Sequence, residues 1–488
     1  MKRKRFTILH SNDIHGDFLA EVKEGEGELI GGLALLSGYL NKVRAEEENV
    51  IYVIAGDMIQ GSLIDSEYKG ISTIEIMNFL SPDVVTLGNH ELDYGLPHLL
   101  FLEKMANFPI VNTNLYIKKY GKRLMNPYVI INKAGFDILF TGVITEKILD
   151  ALQQDSLIGT FISLEDAASE IGKICNAYKH DDIDLTITLT HIGYQSDLEL
   201  AEMLDPKWGV DMIIGGHSHT ILEQPAVIND ILIAQAGTGT DQIGRFDIVV
   251  DDDTNSIVEW TWELIPITTK TASPDKELMA FIDTYKQKVD EKYNSVITRF
   301  NKKLTHPKRE EETMLGNLFA DAFAQMTQAD IMFTASGSIR KKELGPLVTL
   351  GDLMACFPYD DSLIECQITG RKLREVFSHL MREENLDGEG EFYQVNRGVR
   401  AIYSVKRKLL ESLQINGIDI VDDQVYSVVM QSYHFNNSET YFNLSMEEVN
   451  LIAPPKTLAT SAYQVLEEWC RIHPNEGRSI EGRLIFSE

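Results

Sequence analysis

Five short apolar runs in the first half of the chain each stop at a cluster of imidazole, carboxylate or carboxamide side chains. Phe6–Leu9 runs into HSNDIHG, with Asp13 and His15. Val50–Ile54 runs into AGD, with Asp57. Val84–Leu87 runs into GNHELD, with Asn89, His90 and Asp93. Leu185–Leu189 runs into TH, with His191, and Met212–Ile214 into GGHSH, with His217 and His219. Any one of these residues alone is ordinarily a surface or core residue. Polar clusters at five successive strand ends, three of them beside glycine, are the pattern of a ligand site beyond the carboxyl ends of strands. The donors are oxygen and nitrogen with no thiolate. That mixture suits Mn²⁺, Fe²⁺, Co²⁺ or Zn²⁺ and argues against a structural zinc site. One carboxylate, Asp57, stands between two nitrogen-rich sets, which points to two metals sharing a bridge at a spacing of roughly 3.5–4 Å.

The elements that must position these residues follow from the pattern between them. Helix-period stretches such as Leu33–Val43 and Ser163–Cys175 separate the apolar runs, so strand and helix alternate as in an α/β layered core. Near residue 260 the period changes to two. Val258, Trp260, Trp262 and Leu264 share one face after a turn at Asp251–Ser256, which predicts a hairpin. SPDKE (Ser273–Glu277) then reads as a helix start, with Ser273 as cap and Pro274 in the first helical position. Leu278, Phe281, Ile282, Tyr285 and Val289 follow at helical spacing. A second composition begins after about residue 295, with its own helices (Met314–Gln325, Arg371–Met381) and strands (Ser362–Gln367, Tyr426–Met430). The expected organisation is a domain over 1–270, a linker helix over 271–296 and a smaller α/β domain over 297–488.

Composition bounds the function. The 488 residues carry 74 acidic and 45 basic side chains, a formal charge of −29. A nucleic-acid backbone or an anionic membrane needs surplus Lys and Arg, so neither is an expected partner. Bulk charge does not exclude a small anionic substrate, because bound metal reverses the local field. The four cysteines are too few and scattered for a disulfide framework, and no run of about 18 apolar residues occurs. The basic start MKRKR is followed by no apolar stretch of the secretory kind, so a cytoplasmic location is expected. HELDY lacks the second histidine of HExxH, and neither GxxxxGK[ST] nor GxGxxG occurs.

The blocks D-x-H, G-D, G-N-H-E, a lone His and G-H-x-H, in that order over residues 13 to 219, resemble the calcineurin-like metallophosphoesterases. HSNDIHG and GNHELDYG resemble more narrowly the 5′-nucleotidase family, whose second domain follows a linking helix. The resemblance covers nearly the whole chain. It implies a four-layered α-β-β-α sandwich followed by a smaller α/β substrate-binding domain. It also implies that Asp13, His15 and His219 hold one divalent metal, that Asn89, His191 and His217 hold another, and that Asp57 bridges them. Mn²⁺ comes first among the candidate ions, ahead of Zn²⁺, Fe²⁺ and Co²⁺. His90 would contact the phosphoryl group without ligating metal, and Asp93 would orient its imidazole. The implied chemistry is in-line attack of a metal-activated water on phosphorus.

In the second domain, ETMLGNLFADAF (Glu312–Phe323) resembles the family's E-T-x-L-G-N-L-x-x-D-A helix, and ASGSIR (Ala335–Arg340) its substrate-binding N-x-G-G-I-R loop. Arg340 matches the family arginine, while Ala335 replaces the asparagine. A second family arginine falls at Glu311, with Lys308 and Arg309 nearby. Tyr359 of CFPYDDS and Tyr433 of YHFNNSET take the places of the two base-stacking aromatics. Glu439 takes the place of the ribose-binding aspartate, and Asp361 stands where the family has asparagine. The expected function is a metal-dependent phosphohydrolase acting on a nucleoside 5′-monophosphate or related phosphoester. The alternatives are a cyclic-nucleotide phosphodiesterase or nucleotide-sugar pyrophosphatase on the same scaffold, and a non-catalytic metabolite sensor.

Overall fold

The computed structural model describes residues 3–22, 28–117, 120–145, 163–178, 181–386 and 390–487. Its internal contacts divide the chain into two units, Met1–Val289 and Asp290–Glu488.

The first unit is built on two six-stranded sheets. In one, the order is Ser256–Pro266, Gln242–Asp251, Arg3–Ser11, Val50–Ala55, Val84–Thr86 and Ile110–Val111. The last four strands run parallel, and the hairpin expected around residue 260 supplies the antiparallel edge. The second sheet has the order Ala226–Ile228, Ile231–Ala234, Met212–Ile214, Leu185–His191, Phe136–Ile144 and Tyr128–Lys133. Its four central strands are parallel. Parallel strands buried on both faces favour continuous apolar runs, as in VIYVIA; LTITLTH instead alternates Leu and Ile with β-branched threonine, and every residue of both is buried.

The sheets pack face to face. Phe6, Ile8, Ile51 and Val53 of one share a single core with Ile138, Phe140, Ile187 and Leu189 of the other. On the outer face of the second sheet, helices Leu164–Ala177 and Tyr194–Met203 bury Ile171, Ile174 and Leu200 against Leu139, Val143 and Ile213. Helices Leu33–Glu46, Ile71–Leu80 and Leu96–Met105 connect the strands of the first sheet. This is the expected four-layered sandwich.

The helix after the hairpin begins at Lys276, two residues later than the sequence predicts, and runs to Tyr293. Its capping group is Asp275, not Ser273. One Asp275 oxygen accepts the N–H groups of Glu277 (3.0 Å) and Leu278 (3.2 Å), and the other is held by Ser37 and Asn41. A capping carboxylate already fixed by two side chains of another helix outcompetes a hydroxyl two positions earlier.

The second unit contains a five-stranded mixed sheet in the order Tyr393–Val395, Ile331–Ala335, Val425–Gln431, Leu363–Thr369 and Lys456–Ala459. A four-stranded sheet is built from Ile418–Asp419, Leu409–Ile415, Val399–Ser404 and Leu484–Ser487. Helix Gly370–Leu380 packs Leu373, Val376 and Phe377 into its core. All four cysteines are free and buried. Among the described residues, no helix is long and apolar enough to cross a membrane.

Candidate functional site

The polar clusters at the strand ends of the first unit converge. Ligand atoms of Asp13, His15 and His219 lie within 4.8 Å of one another, as do those of Asp57, His191 and His217, and those of His15, Asp57 and His90. His219 Nε2 is 3.4 Å from Asp13 Oδ1, and His15 Nε2 is 3.1 Å from His219 Nε2. His191 Nε2 is 3.1 Å from Asp57 Oδ2, and His217 Nδ1 is 2.8 Å from Asn89 Oδ1. Asp57 Oδ2 is also 3.9 Å from His15 Nε2, so this one carboxylate touches both sets.

The local backbone explains how so many donors fit together. Asp13, His15, Asp57, His217 and His219 all have φ between 50° and 82°, the left-handed region that L-residues with a Cβ rarely occupy. Such conformations persist only where the surroundings over-determine them, and they cluster at functional sites. Here the surroundings are backbone bonds between loops. Asp13 N–H donates to Gly56 O, His15 N–H to Asp57 O, and Gly16 N–H to Met58 O. The His217 N–H reaches both oxygens of Asp13, at 3.0 and 2.9 Å. Two glycines are required by space. A Cβ on Gly88 would lie 2.2 Å from Asp57 Oδ1, and one on Gly216 would lie 2.7 Å from Ala55 O and 2.9 Å from Asp13 Oδ2.

The electrostatics fit a cation-binding centre. Burial works to raise the Asp57 carboxyl, but the His191 ring and the His90 N–H outweigh it and bring it down to about 2. Burial works to lower His191, and Asp57 and Asp13 overcome it, carrying the imidazole up to about 9. His191 Nδ1 is committed to Ala55 O at 2.8 Å, while its buried Nε2, 3.1 Å from Asp57 Oδ2 and 3.8 Å from Asp13 Oδ1, makes no well-aligned hydrogen bond. An orphaned buried nitrogen beside two carboxylates is a donor awaiting a cation, so these residues fit a pair of divalent metals.

His90 differs from the other imidazoles. Its Nδ1 is 2.7 Å from Asp93 Oδ2, which raises its pKa despite partial burial, and its backbone N–H donates to Asp57 Oδ1 at 2.9 Å. The ring is one-third exposed, with Nε2 not engaged by Asp93.

Three supporting groups escaped the sequence reading. Glu91, set aside there only as a false protease base, is buried and accepts four backbone N–H groups. Oε2 takes those of Gly88 (2.6 Å) and Asp57 (3.0 Å), and Oε1 those of Met58 (2.7 Å) and Ile59 (3.3 Å). It clamps the AGD loop to the GNHE loop. Burial and the charge of Asp57 push its carboxyl up to about 7, while the converging N–H donors oppose this. Asn12 bridges Asp13 Oδ2 to Gly237 O and receives the Ala236 N–H. Asp197, fully buried, accepts from Thr190 (2.6 Å), beside His191, and from Gln235 (2.7 Å). Gln235 in turn receives the hydroxyl of Ser218, between His217 and His219. The identity of Glu91 was visible in GNHE; its partners were not.

In the second unit, the positions matched to a substrate pocket lie about the carboxyl ends of strands Ile331–Ala335 and Val425–Gln431. Tyr433 and Tyr359 are exposed, at 54% and 44%. Arg340 and Glu439 are exposed, and Arg340 is tied through its N–H to Cys356 O. Asp361 accepts from Gln431 and Ser432, directly before Tyr433. Among the described residues, no hydrogen bond, ion pair or ring contact joins Arg340, Tyr359 and Glu439 to one another.

Residues 6–220 match the model of the calcineurin-like phosphoesterases, and residues 295–445 that of the 5′-nucleotidase C-terminal domain. The chain joins a calcineurin-like phosphoesterase domain to a 5′-nucleotidase C-terminal domain. It is similar to a 5′-nucleotidase-related protein of Glossina morsitans morsitans, 28% identical over 82% of this chain and 79% of that protein. It is also similar to a 5′-nucleotidase of Vibrio parahaemolyticus, 28% identical over 77% of this chain and 74% of the other. Among solved structures, a 5′-nucleotidase precursor from Thermus thermophilus shares the fold with a TM-score of 0.62 and 22% identity, over 99% of this chain and all of that one. The two domains and the donor clusters together make the chain a metal-dependent phosphoester hydrolase.

Proposed function

We propose that the chain releases phosphate from a nucleoside 5′-monophosphate or a closely related phosphoester. The observation that carries this is the sharing of Asp57 between two donor groups, one with His15 and His90 and one with His191 and His217. In this reading Asp13, His15 and His219 hold one metal, Asn89, His191 and His217 the other, and Asp57 both, with Mn²⁺ the preferred ion. When bound, the pair supplies positive charge for the phosphoryl oxygens and lowers the pKa of water to near neutrality. The chain's own residues do the rest. Asp93 keeps the His90 ring oriented through Nδ1, leaving the single Nε2 proton either to stabilise charge on a phosphoryl oxygen or to protonate the leaving group. Glu91 and Asp197 keep the ligand loops in place.

The substrate's organic part is assigned to the second domain, residues 297–488, following the 271–296 linker and the 1–270 metallophosphoesterase domain. Tyr359 and Tyr433 would stack on a base, Glu439 would accept from a ribose diol, and Arg340 would contribute a cation. The nucleotide class is supported by relatives named 5′-nucleotidase. The four free, buried cysteines support a cytoplasmic location, and the acidic surface supports the absence of nucleic-acid and membrane partners.

The test is a panel of phosphomonoesters beside a phosphodiester and a nucleotide sugar, with Mn²⁺. Monophosphates should be turned over and the others much more slowly, and EDTA should abolish the reaction. Equal activity after metal removal, verified by elemental analysis, overturns the metal assignment. Preference for the diester overturns the substrate.

A further inference from the structure

A pair of opposite charges is built against the backbone of the second unit, at residues outside those matched to the family pocket. The Glu391 carboxylate accepts the Gly337 N–H through Oε1 at 2.8 Å, and Arg309 donates to its Oε2. A Cβ on Gly337 would lie 2.8 Å from both Arg309 Cζ and Glu391 Oε2, so glycine is what lets the pair lie on this loop. The carboxylate sits behind, with its side chain 10% exposed, and the guanidinium in front, 43% exposed.

A ring cluster stands beside the pair. Tyr441 lies 6.2 Å from the exposed Tyr433 and 5.1 Å from His434, between ring centroids. Tyr393, two residues after Glu391, has its hydroxyl 2.8 Å from His434 Nδ1, and the His434 ring lies 5.2 Å from that of Tyr433, so the segment that carries Glu391 reaches the rings. Gln431 then links Ser338, of the same loop, to Asp361.

We propose that Arg309 and Glu391 are a specificity-determining pair that admits an uncharged nucleoside moiety and discriminates against one carrying additional phosphate. This rests on the nucleotide reading above. A lone guanidinium beside stacking rings would be an anchor for phosphate, because its N–H fork matches phosphate oxygens. With a carboxylate in contact, its field is that of a dipole, and an added phosphate meets no net positive charge from it. The acidic Asp361 on the same loop network tips the balance further. The exposed guanidinium still offers N–H donors, which suit the carbonyl and ring-nitrogen acceptors of a nucleobase. The neutralised arginine thus acts as negative selection on charge.

The experiment is a comparison of kcat/KM for a nucleoside monophosphate and its triphosphate on the full chain, with free Mn²⁺ held constant. In Glu391→Gln the amide oxygen can keep the Gly337 bond while the charge is lost, and the triphosphate-to-monophosphate ratio should rise about tenfold or more. In Arg309→Gln the carboxylate is left uncompensated, and the ratio should fall below wild type. Opposite shifts in the two variants, each melting near the wild-type temperature, support the pair. A ratio unchanged within about twofold in both, or shifted the same way in both, overturns it while leaving the nucleotide reading standing. If a variant unfolds, direct binding of inorganic pyrophosphate to Glu391→Ala, which removes the carboxylate outright, decides. No change from wild type overturns the proposal, and tighter binding supports it. If wild type hydrolyses a chromogenic phosphomonoester but no nucleotide, both this proposal and the nucleotide reading fall.

Discussion

His90 and Asp57 sit side by side and should fail in different ways. The His90 ring is oriented by Asp93 and is one-third exposed, whereas Asp57 is buried and shared by two donor groups. His90→Ala should therefore keep both metals and lower kcat by about 10²–10⁴-fold. Asp57→Asn should lower metal occupancy itself, because an amide replaces the carboxylate within reach of both sets. Parallel measurements of kcat and of bound metal separate the two cases. Wild-type turnover in His90→Ala removes its assigned role, and loss of metal there makes it a ligand. The types of these residues were readable from sequence, since D-x-H, GD, GNHE and GHxH place nitrogen and oxygen donors at strand ends. Their left-handed backbones were not, because the φ of Asp13 or His217 depends on loops from distant parts of the chain.

The elements that hold these residues are two short loops with few bonds of their own. The AGD turn and the GNHE turn are joined by Glu91, which receives N–H groups from residues 57 to 59 and from Gly88. Each carboxylate oxygen faces donors, so a glutamine must turn its NH₂ against one pair of N–H groups whichever way it lies. Glu91→Gln should cost about 1–3 kcal/mol of stability and weaken Mn²⁺ binding by about 10–100-fold. Calorimetric titration of Mn²⁺ together with thermal melting measures both. Unchanged metal affinity with a lowered melting point would make Glu91 a stabilising residue with no part in positioning the ligands. The helix start at Lys276 follows the same physics at another element. Ser273 and Pro274 satisfy the local cap pattern, yet Asp275 takes the role because Ser37 and Asn41, on a helix near the start of the chain, hold it.

On the scale of the molecule, each unit encloses a histidine that its surroundings keep neutral. In the first, His10 is fully buried, stacked 5.4 Å from Trp262, with neither ring nitrogen hydrogen-bonded; burial brings it down to about 3. In the second, His434 is bonded to Tyr393 OH at 2.8 Å, and burial, aided by Arg309, lowers it to about 4. Both folded values lie below the unfolded value of about 6.5, so protonation favours the unfolded chain. Their contribution is fully present above pH 6.5 and is lost as pH falls from there towards 4 and 3. It amounts to about 2 kcal/mol each by pH 5. Half-buried Asp211, raised to about 7 by desolvation, works in the opposite direction, so the effect is read as a difference between variants. His10→Leu, melted in chelator, should lose less stability between pH 7 and 5 than wild type by about 2 kcal/mol. Identical pH dependence in the two proteins would show that His10 does not titrate with unfolding.

The sequence by itself determined the layered α/β architecture and the donor types of the metal centre. Both are written in local terms, as apolar runs of strand length alternating with helical periods, and as polar residues placed where each strand stops. Glu91's four acceptor bonds, the Asp197–Gln235–Ser218 relay, the orphaned nitrogen of His191 and the Arg309–Glu391 pair were decided only by tertiary structure. Each joins groups from different segments: Asp57 with Glu91, Thr190 and Gln235 through Asp197, Ala55 with His191, Arg309 with Glu391. No local preference of the chain encodes which backbone N–H will meet a given carboxylate, because that bond exists only after the sheets have packed and the loops at their ends have been brought within hydrogen-bonding distance.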